Sequence, residues 1–151
     1  MKMRIYLDTS VFGGCFDDEF TIESRKLFQE INSGKFMMVV SDTTLDELQP
    51  APPEVMVVLE SIAPENAEYV AISDKVITLR DAYLTAGVVG TSSTGDAEHV
   101  AVATVAGVDM IVSWNFKHIV HYDKIAGYNA INTEYGYKAV QIFSPKEVVE
   151  P

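Results

Sequence analysis

Four polar residues stand at the ends of apolar segments, where chemistry in an α/β protein is found. Asp8 follows the apolar run Met3–Leu7, and Glu47 lies just after a second such run, Phe36–Val40. Asp96 opens an apolar helix, and Asn115 follows Met110–Val112. In open α/β sheets, ligands bind outside the carboxyl ends of the strands. Three acids and an amide from four separate segments can therefore meet on one rim. Two like charges ~4 Å apart repel by about 4 kcal/mol at an effective dielectric near ~20. Such a cluster calls for protonation or a cation. Oxygen donors alone suit Mg²⁺ or Mn²⁺ rather than zinc. A cation of that kind offsets charge on a phosphoryl oxygen and makes a water nucleophilic near neutral pH, which is the chemistry of phosphodiester hydrolysis.

Each residue also has a plainer role. Asp96 as a helix N-cap is as good a reading as ligation. Glu47 taken alone is a solvated helix residue, and Asn115 taken alone is a turn or cap residue. Asp8 is harder to explain away, because a carboxylate directly after a buried strand needs partners. His99 falls three residues after Asp96 on one helix face, within reach of an acidic ligand, but a satisfied interior histidine is the simpler expectation. Thr9 and Ser10 either hold Asp8 or cap the next turn. Trp114 reads as core, and Cys15 as inert packing. Lys117, His118 and His121 read as helix-surface residues, the first two near the rim.

The elements that must position these residues follow from the apolar pattern. Strands are expected at Met3–Leu7, Phe36–Val40, Met110–Val112 and Val140–Phe143. Helices are expected over 19–32, from 42 to before Pro50, from Pro52 to about Ile62, over 72–87, over 94–107 and over 117–135. The 94–107 helix is apolar nearly all round and should be buried. Alternating strands and helices predict one α/β domain over residues 1–151, a three-layer α/β/α sandwich on a mainly parallel sheet.

Composition narrows the function classes. The 151 residues carry 22 acidic against 11 basic side chains, a net charge of −11. This is the opposite of the basic footprint of a protein that holds nucleic acid by its backbone. No apolar run approaches the ~18 residues of a spanning helix, and the start Met1-Lys2-Met3-Arg4 does not read as a signal peptide. A single cysteine excludes an internal disulfide. A cytoplasmic protein is expected.

Four pieces carry a resemblance to a known family. They are Ile5-Tyr6-Leu7-Asp8-Thr9-Ser10, Ser41-Asp42-Thr43-Thr44-Leu45-Asp46-Glu47-Leu48, Gly95-Asp96-Ala97-Glu98-His99-Val100-Ala101 and Ile111-Val112-Ser113-Trp114-Asn115-Phe116-Lys117-His118-Ile119. In order, spacing and context the chain resembles the PIN-domain nucleases over nearly its whole length. The resemblance implies a PIN-type sandwich and Mg²⁺- or Mn²⁺-dependent cleavage of RNA, often by the VapC-like toxin of a toxin–antitoxin pair. It implies that Asp8, Glu47 and Asp96 are the metal-binding acids. Asn115 falls where many members carry a fourth acid, and Ser113 where a small hydroxyl residue supports that corner. An antitoxin partner and a homodimer are further implications. The amide at Asn115 lowers the site's charge by one and points to a one-metal or asymmetric site. The rival reading is a weakened or inactive PIN-fold module that acts through a protein partner.

Overall fold

The computed structural model describes residues 2–151. Five parallel strands form one sheet: β1 (Met3–Leu7), β2 (Phe36–Ser41), β3 (Ala67–Val70), β4 (Met110–Val112) and β5 (Gln141–Phe143). Their order is β3-β2-β1-β4-β5, so the central strand β1 pairs with both β2 and β4. Ile5 lies opposite Met38 on one side and Met110 on the other. The chain moves outward to β2 and β3, then returns to lay down β4 on the far side of β1. The gap between the ends of β1 and β4 is thus the point where the winding reverses, which is where crevices form in such sheets.

Eight α-helices cover the sheet: α1 (Thr9–Gly14), α2 (Thr21–Asn32), α3 (Asp42–Leu48), α4 (Pro53–Glu60), α5 (Asp74–Thr85), α6 (Thr94–Ala106), α7 (Tyr122–Glu134) and α8 (Pro145–Val148). Side chains alternate across a strand, and two cores result. Ile5, Leu7, Met38, Val40 and Val112 pack on one face with Phe12, Leu27 and Ile31. Tyr6, Val39 and Ile111 pack on the other with Leu79, Tyr83, Val100 and Ala103. The fold is the expected three-layer α/β/α sandwich. No helix among the described residues is long and apolar enough to cross a membrane.

Three differences from the sequence expectation have physical causes. The edge strand β3 was not anticipated, because Ala-Glu-Tyr-Val alternates and stays partly exposed, with β2 its one strand partner. A short helix, α1, follows Asp8 at once. The helix expected from Lys117 begins only at Tyr122, because Asn115 gathers a turn of its own. Its carbonyl accepts from the Ile119 and Val120 N–H groups, and its side-chain oxygen accepts from the His118 N–H at 2.9 Å. His118 and His121 therefore precede α7 rather than ride on it.

Gly14, at the end of α1, is required by close approach. A Cβ there would stand 2.5 Å from Ser24 Oγ and 2.8 Å from Trp114 Nε1. Gly14→Ala is expected to destabilise the protein by about 1–3 kcal/mol through overpacking. Urea unfolding followed by the fluorescence of Trp114, the single tryptophan, measures this. An unchanged midpoint would refute the packing described here.

Candidate functional site

The end of β1 delivers a carboxylate into the interior. Asp8 is 4% exposed. Burying a charge is costly unless it is hydrogen-bonded, and both Asp8 oxygens are. Ser10 Oγ donates to one at 2.6 Å, and Ser113 Oγ donates to the other at 2.8 Å. The serines are themselves fixed by the backbone after β4. The Trp114 N–H donates to Ser10 Oγ, and the Asn115 N–H to Ser113 Oγ, each at 2.9 Å. Asp8 is thus wired to both strand ends that flank the reversal. Burial raises its pKa, and the Asp96 charge adds to that; the His99 charge and the two serine bonds pull it partly back.

Asp96 lies in the first turn of α6. One of its oxygens accepts from Asn115 Nδ2 at 3.0 Å. Burial raises the Asp96 pKa and Glu47 raises it further, against the His118 and His99 charges and the Asn115 bond. Asn115 therefore faces Asp96 with its N–H₂, because its oxygen is occupied by the His118 N–H. It donates to a carboxylate, and one lone pair of its oxygen is already taken.

Glu47 comes from α3, whose start is set by Ser41 and Thr44, the Thr44 hydroxyl accepting the Ser41 N–H at 3.3 Å. Its Oε1 accepts from the Thr9 hydroxyl and from His99 Nε2 at 2.7 Å. Its Oε2 is directed at the start of α6, where a Cβ on Gly95 would stand 3.1 Å away. Burial works against the Glu47 carboxylate, but the His99 and Thr9 hydrogen bonds and the His99 charge outweigh it and hold its pKa below the usual value.

His99 is 2% exposed and engaged at both nitrogens. Nδ1 meets the Tyr6 hydroxyl at 2.6 Å, and that hydroxyl meets Ser41 Oγ at 2.8 Å. Burial alone would depress the imidazole. The Tyr6 oxygen, the Glu47 carboxylate and the Asp8 charge together raise its pKa well above the usual value. His99 is the satisfied interior histidine expected, and it is also the cationic partner of Glu47. Tyr6 was not singled out in the sequence. Its signal was a phenol in an otherwise apolar strand, since a buried tyrosine hydroxyl needs a partner. Trp114 and Cys15 are buried as expected, and burial pushes the Cys15 thiol up to about 11.

Asp8, Glu47, Asp96 and Asn115 thus stand at one rim with Thr9, Ser113 and His99 in support. Among the described residues, no three His, Cys, Asp or Glu side chains already stand close enough to close around one ion. The donor chemistry nevertheless fits a hard divalent cation. Buried Asp8 and half-buried Asp96, both with raised pKa values, gain from a positive charge, and Mg²⁺ needs only one or two carboxylates when it keeps its waters. No protein-family model matches the chain, and no curated protein does.

Opposite shifts give opposite pH dependences. The raised Asp8 pKa means that its ionised form is disfavoured in the folded state, so stability falls as pH rises from the unfolded value of 3.8 through the folded one. The His99 contribution is fully present below 6.5 and is lost as pH rises through its higher folded value. The Glu47 contribution is present above 4.5 and is lost as pH falls through its lower folded value. His99→Gln is expected to lower the metal-free melting temperature at pH 7, because Glu47 loses its hydrogen-bonded partner. Calorimetry in a chelator reads this, and an unchanged melting temperature would contradict the pairing.

Proposed function

We propose that this protein is a Mg²⁺- or Mn²⁺-dependent endoribonuclease of the PIN type that hydrolyses RNA phosphodiester bonds, acting as the toxin of a toxin–antitoxin pair. The observation that carries the reading is Asp8. It is a buried carboxylate at the winding reversal, clamped by two serines and repelled by the Asp96 charge. Acids held where their own charge is disfavoured cluster at functional sites.

In this reading Asp8 and Asp96 would hold the cation, with Glu47 Oε2 as a further oxygen donor. When bound, the cation offsets charge on the phosphoryl oxygen and activates water. The chain's own groups do the positioning. Ser10 and Ser113 fix both Asp8 oxygens, and Asn115 fixes Asp96. Thr9 and His99 hold Glu47 ionised and in place. His118, whose charge reaches Asp96, and exposed Lys117 line the approach of a phosphate. The cluster's negative charge would favour a divalent cation, whose charge would offset the repulsion between these acids and a phosphodiester.

One observation favours a second reading. Glu47 is already paired with His99, and the Asn115 oxygen is already bonded, so fewer groups are free for an ion. A catalytically weak PIN-fold module, working through a protein partner or a second copy of itself, would tolerate that arrangement.

Two measurements separate the readings. Wild-type protein is expected to cleave RNA in Mn²⁺ and to stop in chelator, and Asp8→Asn is expected to lose ~100-fold or more, the scale on which metal sites respond to damage in their shells. Asp8→Asn cleaving as well as wild type would refute the assignment. Wild type that neither binds Mn²⁺ nor cuts RNA, yet forms a tight partner complex, would establish the second reading.

A further inference from the structure

Beside the carboxylates stands an aromatic wall that the site chemistry does not use. Trp114 lies nearly parallel on Phe20, with ring centroids 4.2 Å apart and an interplanar angle of 21°. Phe116 meets Trp114 edge to face at 6.0 Å and 63°, and Phe20 at 6.4 Å. Trp114 is buried and Phe20 partly so, but Phe116 is 47% exposed. Phe116 packs one edge on this pair and leaves about half of its surface open to solvent.

The wall is fixed to the site. The Trp114 N–H donates to Ser10, the serine that clamps Asp8, and its Nε1–H donates to Ser24 Oγ at 2.8 Å. The Phe116 N–H donates to the Trp114 carbonyl at 2.9 Å, closing a tight turn. Asn115, between the two rings, bonds to Asp96. The exposed ring thus follows directly on Asn115, the residue bonded to Asp96, and precedes exposed Lys117 in the chain.

We propose that Phe116 is a stacking platform for one nucleobase of a single-stranded nucleic acid, seating the strand across the carboxylate rim. This rests on the ribonuclease reading for what lies beside the platform. A net charge of −11 limits what the backbone alone can contribute to holding a strand. Backbone affinity comes from free Lys and Arg, and several of the 11 here are engaged elsewhere. Arg4 pairs with Glu68, Arg80 with Glu98 and Asp81, and Lys35 with Glu30 and Glu150. Stacking needs no cation and tolerates any base, because every base has a π face. It also requires an unpaired strand, since bases within a duplex already stack on one another.

The test is binding of a short single-stranded oligoadenylate in chelator, where no metal-dependent cleavage occurs, read by anisotropy of the labelled strand and by quenching of Trp114. Wild type and Phe116→Tyr are expected to bind alike and to quench Trp114. Phe116→Ala and Phe116→Leu are expected to bind about tenfold or more weakly, the scale of one lost stack. The same strand without bases is expected to bind weakly and equally to all four proteins. Equal affinity of wild type, Phe116→Ala and Phe116→Leu for oligoadenylate overturns the platform, as does no binding by wild type. Cleavage of RNA in Mn²⁺ is scored separately. Cleavage with no Phe116 dependence removes the platform and leaves the ribonuclease reading standing. Phe116-dependent binding without cleavage does the reverse.

Discussion

The burial of the Asp8 charge is the constraint on which the rest of the site depends. A carboxylate at the end of the central strand is tolerated only because both of its oxygens accept a serine hydroxyl. Those hydroxyls are held in turn by the N–H groups of Trp114 and Asn115. The clamp therefore joins two strand ends that are over a hundred residues apart and fixes the turn that follows β4. The direction of Trp114, the bond from Asn115 to Asp96 and the late start of α7 all follow from that turn. Gly14 belongs to the same construction, because only a residue without a side chain lets α1 pass Ser24 and Trp114.

A second buried group answers the first. Glu47 and Tyr6 occupy the two nitrogens of His99 and favour its protonated form. The result is a rim of mixed character: burial disfavours the Asp8 and Asp96 charges, while the bonds from His99 and Thr9 favour that of Glu47. Asn115 enters this arrangement as a donor to the Asp96 carboxylate, its side-chain oxygen accepting the His118 N–H. Strained electrostatics of this kind are common where a site is arranged for a ligand rather than for stability.

Much of the fold could be read from the sequence because it rests on local pattern. Four apolar runs are strands where the pattern put them, since a strand buried on both faces must be apolar throughout. The helix around His99 is apolar on nearly every side and proves to be a central helix. β3 escaped notice because an edge strand needs only one partner and keeps polar residues. The start of α7 was misjudged because helix propensity does not register a side chain, Asn115, that captures the next turn for itself.

The sequence alone determined which residues could do chemistry. Carboxylates after apolar strands are conspicuous, and the parallel α/β order places them at one sheet edge. Only the tertiary structure decided what each one does. Which hydroxyl reaches Asp8, which nitrogen of His99 faces Glu47 and which end of Asn115 faces Asp96 depend on packing between segments distant in the chain. Local pattern carries no record of such contacts. The same holds for Phe116. Its letter in the sequence is that of a core residue, and only the turn locked by Asn115 and Trp114 leaves its ring in solvent beside the acids.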